Sequence, residues 1–231
     1  MKKNVPSSTL IIAAFVCTII SCSRKNYAST YFDQQTASHK IIAVLPAEII
    51  LSGNQPKNIT PEQIDSIEVA ESKAFQVSLQ NSILRHANTR KYYMRVNVQD
   101  ISTTLTLLEK NNISLRDSWK TDANELAKIL KVDAVVRMQI TKQRFMSDYA
   151  SYGVSVAEKI LWNTGAANKL PIPSNAAKTN DIYVTCNLLS NDITLWNDYY
   201  KSSSNWNAPA NVIIDNITDR FGEHFPYKTR R

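Results

Sequence analysis

A chain of 231 residues with 43% apolar residues has room for one medium-sized domain with its own core, and for little else. Its formal charge of +7 is a mild excess that falls by two once Lys2 and Lys3 are set apart. The basic residues are scattered, clustering only at Lys228-Thr229-Arg230-Arg231, and no stripe of Lys and Arg interleaves with aromatics, which argues against a nucleic-acid partner.

The amino terminus carries the strongest signal. Lys2 and Lys3 precede Leu10 to Ile20 (LIIAAFVCTII), an apolar run interrupted only by Thr18. The run is too short for a bilayer core, which needs about 20 residues, but it fits the apolar region of a signal peptide. Ile19-Ile20-Ser21-Cys22 then resembles the bacterial lipobox. That resemblance implies cleavage between Ser21 and Cys22, a diacylglyceryl group on the Cys22 thiol and palmitate-type acylation. Residues 1–21 are then the lipoprotein signal peptide, and the lipid on Cys22 anchors the chain to a membrane. Ser23, rather than Asp, after the cysteine points to the outer membrane, with the domain facing the periplasm. Cys17 leaves with the signal, so Cys186 has no intrachain disulfide partner. It sits in the alternating run Ile182 to Leu188 and reads as a small buried hydrophobe.

Residues 22–38 are polar and aperiodic and read as a lipidated tether; a single domain is expected over 39–225, and 226–231 as a basic tail. Ile41 to Leu45 reads as a strand buried on both faces, ended by Pro46. Ser52 to Pro56 is a loop. Thr60, Pro61 and Gln63 make a capping box and predict a helix to about His86, with Ile64, Ile67, Ala70, Ala74, Val77 and Leu84 along one stripe. Tyr92 to Val98 predicts a second strand, and Ile101, Leu105 and Leu108 a short helix stopped around Asn111-Asn112. Asp122 caps a further helix with Glu125 three residues on. Val132 to Ile140 is a third strand, alternating in its second half. Ile182 to Leu189 and Ile193 to Tyr200 predict a hairpin turning at Ser190-Asn191-Asp192. Pro209 to Phe221 closes the chain as a helix. This order predicts an α/β fold with a mixed sheet of about five strands, flanking helices, a late β-hairpin and a C-terminal helix. The stretch 146–180 is an insertion too long for a bare loop, and Val154 to Trp162 within it reads as a short amphipathic helix.

The strand Ile42 to Pro46 (IAVLP), the helix and strand Leu126 to Val136 (LAKILKVDAVV), and the pair Leu195-Trp196 resemble one group of envelope lipoproteins. The group includes the curli-secretion lipoprotein, the penicillin-binding-protein activator lipoproteins and the amino-terminal domain of TolB-like proteins. The resemblance spans most of residues 40–222 and implies a non-catalytic interaction domain held at a membrane. The chain departs from the group at Lys131-Val132-Asp133, where a Gly-rich bend is common. It also lacks the long amphipathic hairpins that a curli-type pore would need.

No motif asks for catalysis, a cofactor or a metal. His39, His86 and His224 are far apart in sequence, and no H-x-x-x-H, C-x-x-C, P-loop, G-x-S-x-G or G-x-G-x-x-G pattern occurs. Glu223-His224 reads as a solvated helix end, and Asp181, Asp192 and Asp198 as turn and edge residues of the hairpin. Aromatics give the better clue to binding: Trp196, Tyr199, Tyr200 and Trp206 lie close together. Trp196 is expected in the core and Tyr199 or Trp206 nearer the surface. With Val154, Ile160 and Trp162, Tyr199 and Trp206 make up the candidate partner surface. The expected partners are the membrane, through Cys22, and another envelope protein. Glycan binding or processing, and assembly of further copies into a secretion complex, stay open.

Overall fold

The computed structural model describes residues 26–52, 60–143, 181–202 and 210–231. The signal, Ser21, Cys22, the expected loop at 53–56, the insertion with Val154, Ile160 and Trp162, and Trp206 lie outside the described residues.

The fold is a mixed α/β sheet with helices on both faces, as expected from the order of elements. Strands β1 (Asn26–Ala28), β2 (Ile41–Val44), β3 (Glu48–Ser52), β5 (Asn97–Val98), β6 (Ala134–Gln143), β7 (Asp181–Ser190) and β8 (Ile193–Ser202) form its seven-stranded sheet. The order is β1-β8-β7-β6-β2-β5, with β3 also on β6. Strands β4 (Tyr92–Met94) and β9 (Lys228–Arg230) make a separate antiparallel pair. The helices are α1 (Phe32–Gln35), α2 (Pro61–Ala87), α3 (Ile101–Lys110), α4 (Leu115–Lys120), α5 (Ala123–Leu130) and α6 (Ala210–Glu223).

β6 is the organising strand. It pairs in parallel with β2 and then β3, and antiparallel with β7 over nine residues from Val135↔Leu189 to Gln143↔Asp181. β2 and β3 together run along one side of it, interrupted at Leu45-Pro46-Ala47. Proline cannot donate to a ladder, so the strand does not end at Pro46 but breaks and resumes. α2 supplies the missing partners: Gln76 Nε2 donates to the Val44 carbonyl at 2.7 Å, and Ala47 N–H donates to the Ser72 carbonyl at 3.3 Å.

One core lies under α2 and α6, built on Ile42, Val44, Val136, Met138, Ile140, Val184, Cys186 and Leu188 with Phe75, Leu79, Ile83, Ile217 and Phe221. A smaller core on the other face joins Ala43, Leu45 and Val135 to Leu108, Leu126 and Leu130 of α3 and α5. Cys186 is buried and free, and burial pushes its thiol pKa up, so it is a packing residue.

The capping box at Thr60 forms as expected, Thr60 accepting from Gln63 N–H and Gln63 reaching back. α2 departs from a simple apolar stripe, however: Glu71, Ser72, Gln76, Gln80 and Ser82 are also buried. Two helices crossing over one sheet leave α2 little free circumference. Lys142 Nζ meets Glu71 Oε2 at 2.5 Å on the core side of β6, both side chains inaccessible. Along the α2–α6 seam Ser78 donates to Asp215 at 2.8 Å, and Asp219 takes Arg85 and His86. Gly222 lies so close to α2 that an added Cβ would stand 2.6 Å from the Ser82 backbone carbon.

Several expectations are corrected. The tether expected over 22–38 is folded from Asn26 onward. β1 pairs with the edge of β8, Ser29 N–H bonds to the Leu195 carbonyl at 2.9 Å, and Phe32 is buried edge-on to Tyr227. A three-residue strand on another strand's edge has no period to read, and one aromatic anchors the stretch. The expected basic tail at 226–231 holds β9, and Tyr227 and Phe225 are core. The single strand over Tyr92 to Val98 is split: β4 turns to β9 and β5 to β2, with the chain bending at Arg95-Val96. Helix α4, capped by a Ser114–Asp117 box, adds an element not expected from the sequence. At the departure noted above, Lys131 takes the left-handed conformation (φ 57°) that glycine usually fills, closing α5 with Val132 N–H on the Ala127 carbonyl. Asn191 and Asp192 both have positive φ, the two-residue turn that matches strand twist.

The amino end of β2 is clamped by polar groups. Asp133 Oδ2 accepts from Lys40 N–H at 2.7 Å and Ile41 N–H at 2.9 Å. Next to it His39 Nδ1 bonds to the Tyr227 hydroxyl, and His39 Nε2 stands 3.5 Å from Ser190 Oγ. Burial lowers the His39 pKa against the opposing pull of Asp133. Burial pushes the Asp133 carboxyl up, but the two backbone donors and the nearby His39 and Lys40 outweigh it and hold it below its usual range.

Gly222→Ala forces α2 and α6 apart and is expected to cost about 2–3 kcal/mol, read by urea unfolding. A histidine whose pKa folding lowers contributes fully above its unfolded value of 6.5 and loses that contribution as pH falls through the folded value. A depressed aspartate is lost in the same direction at lower pH. The urea midpoint is therefore expected to drop between about pH 7 and pH 5, and His39→Gln to flatten that slope.

Candidate interaction site

Where the N-terminal segment, the β4–β9 pair and the end of α6 meet, an open cleft of about 800 Å³ is lined by Ala28, Phe32, Arg95, Trp196, His224 and Arg230. Asp33, Pro226, Lys228 and Thr229 complete its walls and Tyr27 borders it. Backbone pairing builds this place: β1 brings Ala28 opposite Trp196, and β9 brings Lys228 opposite Met94. Its charge is positive. Arg95 pairs with Asp33 at 2.9 Å and lies over the rings of Phe32 and Tyr227. The Lys228 ammonium lies 4.8 Å from the centroid of Tyr92 and donates to the Glu223 carbonyl.

One wall holds a pair that sequence reasoning misplaced. Asp198 is not a border residue of the hairpin but a fully buried carboxylate within β8. Its Oδ2 accepts from His224 Nδ1 at 2.8 Å, its Oδ1 accepts from Tyr199 N–H at 2.8 Å, and Arg220 Nη2 stands 3.9 Å away. His224, expected as a solvated helix end, is thus tied into the fold, its side chain 33% exposed to the cleft. Burying a carboxylate requires such partners, and here they lock the end of α6 onto β8. The only sequence hint is that Asp198 shares the phase of Trp196 and Tyr200.

The opposite face of the sheet offers a second surface. The smaller core ends at Val135 and Leu189. Beyond it the same face of β6, β7 and β8 carries Arg137, Gln139, Thr185, Asn187, Asn197 and Tyr199 in register. Arg137 reaches back to the carbonyls of Ser118 and Thr121, tying α4 to the sheet. Of its neighbours, Gln139 is exposed and bonds to Glu48, Thr185, Asn187, Asn197 and Tyr199 are half-buried, and no helix of the described residues joins a core there. The rings of Tyr183 and Tyr199 stand 6.4 Å apart, with the Lys201 ammonium 4.9 Å from the Tyr183 centroid. Asn197 Nδ2 donates to Asn187 Oδ1 across the hairpin.

Of the residues singled out from sequence, Tyr199 is half-buried on this face and Trp196 is core, 2% exposed. Tyr200 packs against the main core, while Ser21, Cys22, Val154, Ile160, Trp162 and Trp206 lie outside the described residues. Among the described residues no cluster of three or more His, Cys, Asp or Glu side chains could hold a metal ion. No described helix is long and apolar enough to cross a membrane.

No protein-family model matches this chain, and no curated protein matches it significantly. Among solved structures the chain is similar to the LpoB C-terminal domain from Salmonella enterica, with 8% identity over 75% of this chain and 93% of that one and a TM-score of 0.38. It is similar also to lipoprotein GNA1162 from Neisseria meningitidis (9% identity, 80% of this chain and 99% of that one, TM-score 0.39). A third similar structure is the PelC dodecamer from Paraburkholderia phytofirmans (9% identity, 80% and 85%, TM-score 0.36). One of these structures is that of a lipoprotein, and likeness at this level gives no residue of this chain a role.

Proposed function

We propose that this chain is a lipoprotein anchored through Cys22 in the outer membrane, facing the periplasm, and that its α/β domain is a non-catalytic module that docks another envelope protein. The observation that carries the docking reading is the half of the β6–β7–β8 face that no described helix covers. A sheet face that needs no partner is either packed by helices or populated by charged, solvated side chains. This one instead presents paired tyrosines with amides, and its charges among the described residues are Arg137, tied back to α4, Glu48, held by Gln139, and the flanking Lys201 ammonium. Tyrosines bury large area at little entropic cost, and amides around them supply directional hydrogen bonds. Tethering at a membrane raises the effective concentration of such a surface, so a modest contact area suffices.

The same tyrosine-and-amide chemistry also suits a saccharide, which favours glycan binding as the second reading. A photo-crosslinking residue at Thr185, opposite Tyr199 in the hairpin register, separates the two in the native envelope. The expected result is capture of one envelope protein from position 185 and none from exposed Glu109 on α3. Tyr199→Ala is expected to weaken that capture about tenfold or more, the loss of one aromatic anchor. Equal capture from both positions would overturn the surface, crosslinks to glycan strands would favour the second reading, and crosslinks to further copies of this chain would favour self-assembly. For the anchor, Cys22→Ala is expected to leave an unprocessed or soluble species in fractionated cells; unchanged cleavage and membrane retention would sink it.

A further inference from the structure

We infer that the cleft between β1 and the β4–β9 pair is a membrane-docking surface, seated on anionic phospholipid headgroups of the leaflet that holds the anchor. The inference rests on the reading of Cys22 as the lipidated residue. Its first support is a length. The described fold begins at Asn26, four residues after Cys22, and four extended residues reach at most about 14 Å. The sequence suggests a tether of seventeen positions, but from Asn26 on it belongs to the described fold, with β1 and α1 within it. A domain on so short a leash keeps the start of β1 at the bilayer surface whatever its orientation.

The second support is where that leash arrives. Asn26 pairs with Asp198, the residue that holds His224 in the cleft wall, and Ala28 lies in the cleft opposite Trp196. The third is charge. Arg95, Lys228 and Arg230 line the cleft against one carboxylate, Asp33, while exposed Arg90, Lys91 and Arg231 flank the two strands β4 and β9. The sequence shows a basic cluster only at 228–231, because the remaining cations arrive from residues 90–95 through the β4–β9 pairing. Positive charge acts on an anionic surface only within about a Debye length, roughly 8 Å at physiological ionic strength, and a leash of this length holds it there.

The fourth support is the set of exposed rings. Tyr27, Tyr31 and Tyr93 are 54%, 62% and 40% exposed, three of the five large hydrophobic side chains left open among the described residues. All three belong to the segments that border the cleft or carry its cations. Tyrosine with an apolar body and a polar tip favours the headgroup layer. A soluble protein partner would not require these features to gather at the anchored edge of the domain, whereas a bilayer reached within four residues does.

The test uses the lipidated chain in vesicles of pure phosphatidylcholine or of phosphatidylcholine with phosphatidylglycerol. Cys186 is buried and Cys22 acylated, so Ala28→Cys adds one reactive thiol inside the cleft, and Glu109→Cys serves as a control on α3. Labelling of Ala28→Cys by a membrane-impermeant maleimide is expected to slow roughly threefold or more in the anionic vesicles, recovering at about 0.5 M salt, while Glu109→Cys stays unchanged. Adding Lys228→Glu and Arg230→Glu is expected to abolish the slowing. Equal rates in the two lipids, with protein floating on both, would overturn the docking while leaving the anchor intact. Protein that fails to float on neutral vesicles would overturn the anchor and the inference together. Slowing in native envelopes but not in anionic vesicles would replace the membrane with a protein partner and overturn it too.

Discussion

Everything in this fold leans on β6, because one strand must satisfy two different environments along its length. Its first residues, Ala134 to Val136, are buried on both faces, under α5 on one and against the main core on the other. From Arg137 on, only alternate residues are buried: Met138, Ile140 and Lys142 face α2, while Arg137, Gln139 and Thr141 face the other way. A slip of one residue against β7 would turn those polar side chains into the core, so register is strongly specified. The change from a continuous apolar run to alternation marks the line where the cover of the described helices stops.

Polar groups inside the main core make the same point from the other side of the sheet. α2 is buried nearly all round and still carries Glu71, Ser72, Gln76 and Gln80. Two of these mend the break at Pro46 through Val44 and Ala47, and Glu71 receives Lys142 where the apolar phase of β6 ends. A buried ion pair of this kind gives less net stability than its geometry suggests, yet removing one partner is severe. Such pairs constrain how α2 can lie across β6, since no other phase of the helix brings Glu71 to Lys142.

What was legible in the sequence is what has a period or a cap. The capping box at Thr60, the Asp122 cap, the hairpin turn with two positive φ values and the half-alternating β6 are all local signals, and the structure shows each of them. What was not legible is built by pairing between distant segments. β1 and β9 are three residues each, stable only because β8 and β4 offer free edges. Phe32 reads as one aromatic in a polar stretch until Tyr227 meets it. Asp198 looks like one more polar residue of the hairpin until His224 closes over it. The candidate site suffered most, since a cleft assembled from residues 27–33, 95, 196 and 224–230 has no linear signature.

β8 ties the two candidate surfaces together. Trp196, Asp198 and Tyr200 face the main core; Trp196, with β1, also lines the cleft, and buried Asp198 holds His224 in its wall. Asn197, Tyr199 and Lys201 project on the opposite face, beside Asn187, Thr185 and Tyr183 of β7. Strand geometry alone forces this division, since neighbouring side chains leave a strand on opposite sides. On the proposed reading of Cys22 as the lipidated residue, a four-residue leash holds β1 at the edge of the sheet, apart from the face that carries Tyr199. On that reading, and with the cleft as the proposed membrane-docking surface, the domain would present its tyrosine-and-amide face away from the headgroups. A protein partner then meets a surface whose orientation is set by the pairing of Asn26 with Asp198.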